Sequence, residues 1–297
     1  MHRIIEAIPP EHLADEVSRL TPVATTAAFD AYTVESTKIP RLLREIGRLR
    51  ETTFRAAGEG TGKSLDLDAH DAEYDHIFVW DRVTRRVVGA YRVADLAAVG
   101  PDRAYTATLF HYPPSLQLTL SDTAELGRSF VQSDYQRSAA ALGLLWRAIG
   151  AWVLQRPHIS RLLGPVSISA EYGESAIALI LGHVWAHHRH RVLARPRFRW
   201  QPESELSRGR RLEGASILDL AELDRRVTAL AGLGMPVLLR HYLLLGGEVL
   251  GYNVDADFGS CVDALVIVDL REVEEARLRR FTGPAGVARF LSPAEAA

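Results

Sequence analysis

The chain has 297 residues, with 35 Lys plus Arg against 37 Asp plus Glu, a formal charge of -2, 47% hydrophobic residues and one cysteine. Balanced charge excludes a general pull toward nucleic acid or anionic membranes, so any such attraction must come from a local patch. The lone Cys261 excludes an intramolecular disulfide framework and a zinc site built from several thiolates, and it fits a reducing compartment, the cytoplasm by default.

The start, MHRIIEAIPPEHLADEV, lacks the basic n-region, apolar h-region and cleavage site of a secretory leader. Residues 1–35 show weak periodicity with turn signals at Pro9, Pro10 and Pro22, which predicts a lead-in segment with one short helix. From Ile39, Leu42, Leu43, Ile46, Leu49 and Phe54 recur at helical spacing, with Pro40 suited to a first turn and Gly58 to a C-terminal cap. His76–Trp80 and Val87–Val93 are rich in β-formers and flank the polar stretch 81–86, a hairpin pattern. Further β-like runs cover Tyr105–Phe110 and Thr123–Gln132.

Ala139–Leu154 returns to the helical period and Pro157 ends it; Leu162–Ser169 reads as a buried strand and Glu174–Ala186 as an apolar helix. Neither apolar helix supplies the roughly 18 uninterrupted apolar residues of a membrane span, since Arg147 and His183 interrupt them. From His187 to Arg211, eight arginines and three histidines surround Val192, Phe198 and Trp200, which predicts a loop or an insertion. Beyond it, Ala215–Leu220 and Val262–Leu270 read as strands, and Pro236–Leu245 as a short helix. The order implies a mixed α/β (α+β) sheet covered by helices.

Several motifs invite chemistry. Ala57 to Ser64 satisfies a relaxed phosphate-loop pattern, but a helix precedes it and the acidic Asp66, Asp68 and Asp71 follow. A working phosphate loop follows a strand and opens a helix. A flexible glycine turn is the reading that fits. His183, His187, His188 and His190 sit among arginines that oppose a cation, so we expect no metal site. The basic stretch 187–211 either docks an acidic partner or lipid head groups, with Phe198 and Trp200 as anchors, or is a plain exposed loop. Cys261 precedes an apolar strand, where a thiol usually packs as a small hydrophobe. No G-x-S-x-G sequence supports a serine hydrolase.

The remaining constellation is Arg50 with Phe54, then Asp68 with Asp71, then Gly89 to Arg92, then Glu125 with Arg128. On an ideal strand Glu125 and Arg128 point to opposite faces, so joint action requires a bulge, for which Gly127 is suited.

The segments EIGRLRETTFRAAGEGTGKSLDLDAHDAEYDHIFVWD (45–81), VVGAYRV (87–93), ELGRSFVQSDYQ (125–136) and GPVSISAEYGES (164–175) resemble the ornithine lipid N-acyltransferase family. That family, also labelled hemolysin-like, falls within the GNAT-like acyltransferases and is related to acyl-homoserine lactone synthases. The resemblance covers about residues 36–270. It implies a GNAT-like, mostly antiparallel sheet with helices on both faces, organised as a lead-in (1–35), an N-acyltransferase domain (36–275) with the basic insertion 187–211, and a C-terminal tail (276–297). The implied activity moves a (3-hydroxy)acyl group from the phosphopantetheine thioester of acyl carrier protein to the α-amine of ornithine, giving lyso-ornithine lipid.

The positions that match the pattern of the lactone-synthase relatives are Arg50, Phe54, Asp68, Asp71, Arg92, Glu125 and Arg128. Gln136 to Ala141 lacks the glycine spacing that grips the coenzyme A pyrophosphate in common GNAT enzymes, which favours a carrier protein over free acyl-CoA as donor. Chemistry adds roles. Glu125 is the expected base for the protonated amine. Backbone N–H groups near Phe130 and Val131 are the expected oxyanion donors. Arg92 or Arg128 would take the acceptor's carboxylate, and Asp68 or Asp71 a second cationic amine, unless that acidic pair orders the glycine turn.

The resemblance also implies peripheral contact with the inner membrane, no nucleic-acid partner, and a separate O-acyltransferase for the next step. The alternatives are N-acylation of glycine, serine or lysine, an autoinducer-like lactone synthesis, and a non-catalytic module that binds acyl carrier protein or lipid.

Overall fold

The computed structural model describes residues 1–201 and 219–292. Its frame is an eight-stranded sheet built from β1 (Ala24–Thr25), β2 (Phe29–Glu35), β3 (Asp75–Asp81), β4 (Arg86–Asp95), β5 (Thr123–Val131), β6 (Arg161–Ile168), β7 (Glu248–Asp255) and β8 (Cys261–Asp269). The spatial order is β1-β2-β3-β4-β5-β6-β8-β7. All neighbours are antiparallel except β5 and β6, which run parallel and pair only over Thr123–Glu125 with Arg161–Leu163. Beyond Glu125 the two central strands diverge, and the sheet opens into a wedge.

Strand alternation puts two apolar layers on opposite faces. Ile77, Val79, Tyr91 and Val93 join the cluster formed with α3 (Ala139–Leu154) and α4 (Gly173–His187), and with α5 (Leu220–Ala231), α6 (Val237–Leu244) and α7 (Glu275–Leu291). Phe78, Trp80, Ala90 and Phe130 join the other cluster, under α1 (Pro10–Val17) and α2 (Pro40–Ala56). The expected mixed, mostly antiparallel sheet with helices on both faces is therefore the observed fold.

α2 begins with Pro40 at its first turn, where a missing N–H costs nothing, and Gly58 follows its last residues at φ 72°. α3 has the bounds expected from its period, and the Ser138 hydroxyl caps it by accepting from the Ala141 N–H. Gly150 lets α7 approach: a Cβ there would lie 2.2 Å from the Phe281 carbonyl oxygen. Arg289 of α7 donates to the carbonyls of Val153 (3.0 Å) and Pro157 (2.8 Å), and so closes the end of α3.

The structure differs from the sequence reading in several places. Residues 1–35 contain the short helix but also β2, which is paired along its whole length with β3. Of the strand expected at Tyr105–Phe110 only Phe110 is in one, the two-residue strand Phe110–His111; Tyr105–Thr108 forms a 3-10 turn, because its apolar atoms pack into a separate small core and its backbone is held by a buried carboxylate described below. Residues 276–291, expected as tail, belong to α7, whose Leu278, Phe281 and Phe290 are buried. β7 and α5 carried no sequence signal strong enough to be read. Residues 215–218 of the strand expected at Ala215–Leu220, and 202–211 of the basic segment, lie outside the described residues; Leu220 itself opens α5. The described part of the basic segment lies along the edge strand β7, with His190 N–H donating to the Val249 carbonyl (3.0 Å) and Ala194 N–H to that of Leu250 (3.0 Å). It therefore covers an open sheet edge.

Candidate active site

The wedge between β5 and β6 opens on the α2 face, and the charged residues singled out in the sequence converge there. Arg50 reaches Asp71 from α2, with Nη1 2.6 Å from Oδ1. Arg92 reaches from β4 to Asp68 Oδ1 (2.6 Å) and Asp71 Oδ2 (3.1 Å). Arg128 on β5 lies 3.4 Å from Asp66 and 3.7 Å from Asp68. Arg50 is fully buried and Arg92 is 1% exposed, so these two guanidiniums meet the buried Asp71 out of bulk water, while Asp68 at the edge of the cluster reaches solvent. Such charges persist in a protein interior only when paired.

Arg128 joins this face through a bulge. The β4–β5 register slips between Ala90 and Arg92, and Arg128 itself takes φ 50°, so the left-handed residue is the arginine and not Gly127. The extra residue brings Glu125, Arg128 and Phe130 to one face of the strand. The Arg128 guanidinium lies over the rings of Tyr105 (4.9 Å) and Phe258 (4.9 Å), and that of Arg92 over Tyr74 (5.2 Å) and Tyr105 (5.1 Å). Phe54 meets Phe258 edge to face at 5.0 Å.

Electrostatics separate the carboxylates. Burial would raise Asp71, but the Arg50 and Arg92 guanidiniums outweigh it and hold its carboxyl well below the usual range. Asp68 is held low in the same way by Arg92 against its burial. Asp66 goes the other way: burial pushes it up despite Arg128 and Arg50. Both Asp71 oxygens are occupied, since Oδ2 also accepts the Asp68 N–H (2.9 Å), so Asp71 is a clamp on the 66–71 segment and is not open to a substrate cation. Asp68, whose side chain is 26% exposed, remains accessible.

Glu125 differs most from its expected role. It is 1% exposed and accepts from the Thr106 N–H (2.7 Å), the Tyr105 N–H (3.1 Å), the Thr106 hydroxyl and the Tyr74 hydroxyl. With four donors on two oxygens it has no lone pair directed at a substrate, so it positions the Tyr105 turn and is not free as the base. The expected oxyanion donors are also resolved. The Gln132 N–H donates to Val88 across the β4 side, so alternation turns the Phe130 N–H to β4 as well and the Val131 N–H toward the wedge. Phe130 contributes its ring to the core under α2 instead.

Across the wedge, β6 and β8 contribute Ser167 and Asp263, which sequence reading did not single out as a pair. Ser167 donates to Asp263 Oδ1 at 2.8 Å, and Asp263 is 3% exposed. A charged residue inside the apolar run 262–270 was the signal available for it. The glycine turn 58–62 closes this end: a Cβ on Gly259 would stand 2.4 Å from the Gly58 carbonyl oxygen. Cys261 is buried and unpaired, and burial pushes its thiol up, as packing predicts.

Among the described residues no cluster of three potential metal ligands is present, and no helix is long and apolar enough to cross a membrane. A cavity of about 800 Å³ lies elsewhere, at the far end of the sheet, near Arg161, Arg191 and Glu272.

Residues 49–147 match the acetyltransferase (GNAT) domain family, and this span holds the second half of α2, the acidic segment, the hairpin and β5. The chain is 29% identical to a glycine N(alpha)-acyltransferase of Bacteroides thetaiotaomicron, over 94% of this chain and 89% of that protein. It is 28% identical to one of Phocaeicola vulgatus, over 94% and 92% respectively. Among solved structures, it is similar to a CoA-dependent acyl-homoserine lactone synthase with SAM and isopentyl-CoA (14% identity, TM-score 0.44, 86% of this chain and 88% of that one). A second is an N-acyl amino acid synthase from uncultured soil microbes (13% identity, TM-score 0.44, 83% and 93%). About a third of the chain thus matches the GNAT acetyltransferase domain, and over nearly its whole length the chain is similar to proteins named as N-acyltransferases.

Proposed function

We propose that this acyltransferase moves a (3-hydroxy)acyl group from the thioester of acyl carrier protein to the α-amine of ornithine, releasing lyso-ornithine lipid. The observation that carries the reading is a pair of buried guanidinium nitrogens without hydrogen-bond partners, Arg92 Nε and Nη2. Buried donors left unpaired cost about 1–3 kcal/mol each or more when charged, and an amino acid carboxylate would satisfy them. Asp68 is the accessible carboxylate for a second amine, the group that separates ornithine from simpler acceptors. An extended phosphopantetheine arm would lie in the wedge, where the Val131 N–H would polarise the thioester carbonyl.

Gln136 to Ala141 offers no glycine turn for a coenzyme pyrophosphate, which supports a carrier protein as donor. An amphipathic product fits peripheral contact with the inner membrane and a separate enzyme for O-acylation.

A second reading, glycine as acceptor, is favoured by both curated relatives being named for glycine. Incubation of the purified protein with 3-hydroxyacyl carrier protein and mixed amino acids, read by mass spectrometry with acyl-CoA in parallel, separates them. N-acylornithine formed only with carrier protein is the expected result. N-acylglycine would transfer the reading to the second acceptor, and product from acyl-CoA at equal rate would overturn the carrier requirement.

A further inference from the structure

Glu125 is enclosed by four donors, Asp71 is clamped by two arginines, and Asp68 and Asp66 stand beside Arg92 and Arg128. The reaction still requires a group that removes a proton from an ammonium. We propose that Asp263 is the general base of the acyl transfer, held by Ser167 of β6, the strand that forms one side of the wedge. The inference rests on the N-acylation reading above and goes beyond it by naming the base.

Four observations converge on this carboxylate. Asp263 projects from β8, directly opposite Ser167 in the β8–β6 register and opposite Asn253 in the β8–β7 register, so its position is fixed by the sheet on both sides. Among the described residues its hydrogen bonds, from the Ser167 hydroxyl at 2.8 Å and more weakly from Cys261 Sγ at 3.8 Å, both go to Oδ1, and no arginine forms an ion pair with it. Cys261, two residues earlier, packs with Phe54, Phe130 and Phe258, the apolar wall against which the β5 bulge sets Arg128. The charges that act on it are Asp255 of β7 and Arg128, and its own charge raises Glu59 of the glycine turn and Tyr105.

Burial is the largest influence and, with the smaller effect of the Asp255 charge, pushes the Asp263 carboxyl up to about 7, against the Ser167 hydrogen bond, which ranks second, and Arg128. Proton transfer is most effective from a base whose pKa lies near the working pH. Glu59, also pushed up to about 7 by burial and by Asp263, sits on the half-buried turn rather than on a strand, and the two carboxyls repel one another when charged.

The step balances as follows. One ammonium proton passes to Asp263, and the freed amine nitrogen attacks the thioester carbonyl carbon to form the C–N bond. Collapse of the tetrahedral adduct breaks the C–S bond, and the second amine proton goes to the departing sulfur, leaving an amide and the free phosphopantetheine thiol. Asp263 then returns its proton to solvent.

The test is the pH dependence of thiol release from acyl carrier protein by the wild type, D263N and E59Q, with amide product confirmed by mass spectrometry. The wild type should show an ascending limb with an apparent pKa near 7. D263N should lose about 10²–10⁴-fold in kcat at pH 7, keep its acceptor KM within a few-fold, and recover rate at pH 9–10 as the amine deprotonates in solution. E59Q should move the limb to lower pH, because the repulsion that the two carboxyls share is removed. D263N within threefold of wild type, or an unchanged limb in it, would overturn the assignment. If D263N does not fold, an E59Q limb identical to wild type overturns it. Failure of the wild type with every amine would sink the N-acylation reading instead.

Discussion

Glu125 and Thr106 are joined twice, by the Thr106 N–H at 2.7 Å and by its hydroxyl, both to Oε1. The neighbouring Tyr105 N–H goes to Oε2, so one strand carboxylate fixes the turn whose tyrosine ring carries Arg92 and Arg128.

Glu125→Gln replaces one acceptor oxygen with an NH₂ that faces donors. The expected cost is about 1–3 kcal/mol of stability, with a higher acceptor KM as the tyrosine platform loosens. Urea denaturation and steady-state kinetics read both. The ascending pH limb should survive; its disappearance would return the base to Glu125.

Asp71→Asn leaves Arg50 and Arg92 buried with reduced compensation, and breaking such a pair costs about 3–5 kcal/mol. The pH dependence has a definite sign. Asp71 is held below its unfolded value of about 3.9, so its stabilisation is present above that pH and is lost as pH falls further toward the folded value. Melting temperatures from pH 7 to 2 should fall less steeply in the variant below about pH 4, and parallel curves would refute this account.

Gly164 sits where β5 and β6 begin to part, and a Cβ there would lie 2.4 Å from the Leu126 carbonyl oxygen. Gly164→Ala should cost about 1–3 kcal/mol and raise the thioester KM by displacing the strands at the mouth of the wedge. Gly127→Ala, with nothing within 4 Å, is the control and should be near neutral in both. Equal effects of the two substitutions would show that the close approach is unimportant.

Gly259 combines φ 65° with a close approach to Gly58, so alanine there is opposed by both backbone and contact. Gly259→Ala should release the 58–62 turn, seen as faster limited proteolysis within it and as a severalfold loss in acceptor kcat/KM. Unchanged proteolysis would detach the turn from the β7–β8 connection.

Part of this molecule was readable in one dimension. The helical period of Leu42, Ile46, Leu49 and Phe54, the Pro40 start and the β-rich runs around 81–86 lead to α2 and the β3–β4 hairpin, because those signals are local. The quoted segments also brought Arg50, Asp68, Asp71, Arg92, Glu125 and Arg128 forward together, and they do converge. β7 and α7 escaped because their burial comes from partners far along the chain, β8 and α3. Tyr105–Phe110 misled because its β-forming residues serve a small separate core in a turn held by Glu125.

The sequence by itself determined the layered α/β class, the principal helices and hairpin, and which charged residues belong to one cluster. Only the tertiary structure decided what each carboxylate can do. Glu125, Asp71 and Asp263 are the same functional group, yet one meets four donors, one meets two arginines, and one meets a serine beside other acids. A carboxylate's charge state depends on the desolvation and neighbouring charges supplied by strands distant in the chain, and that environment exists only once the sheet has closed around it.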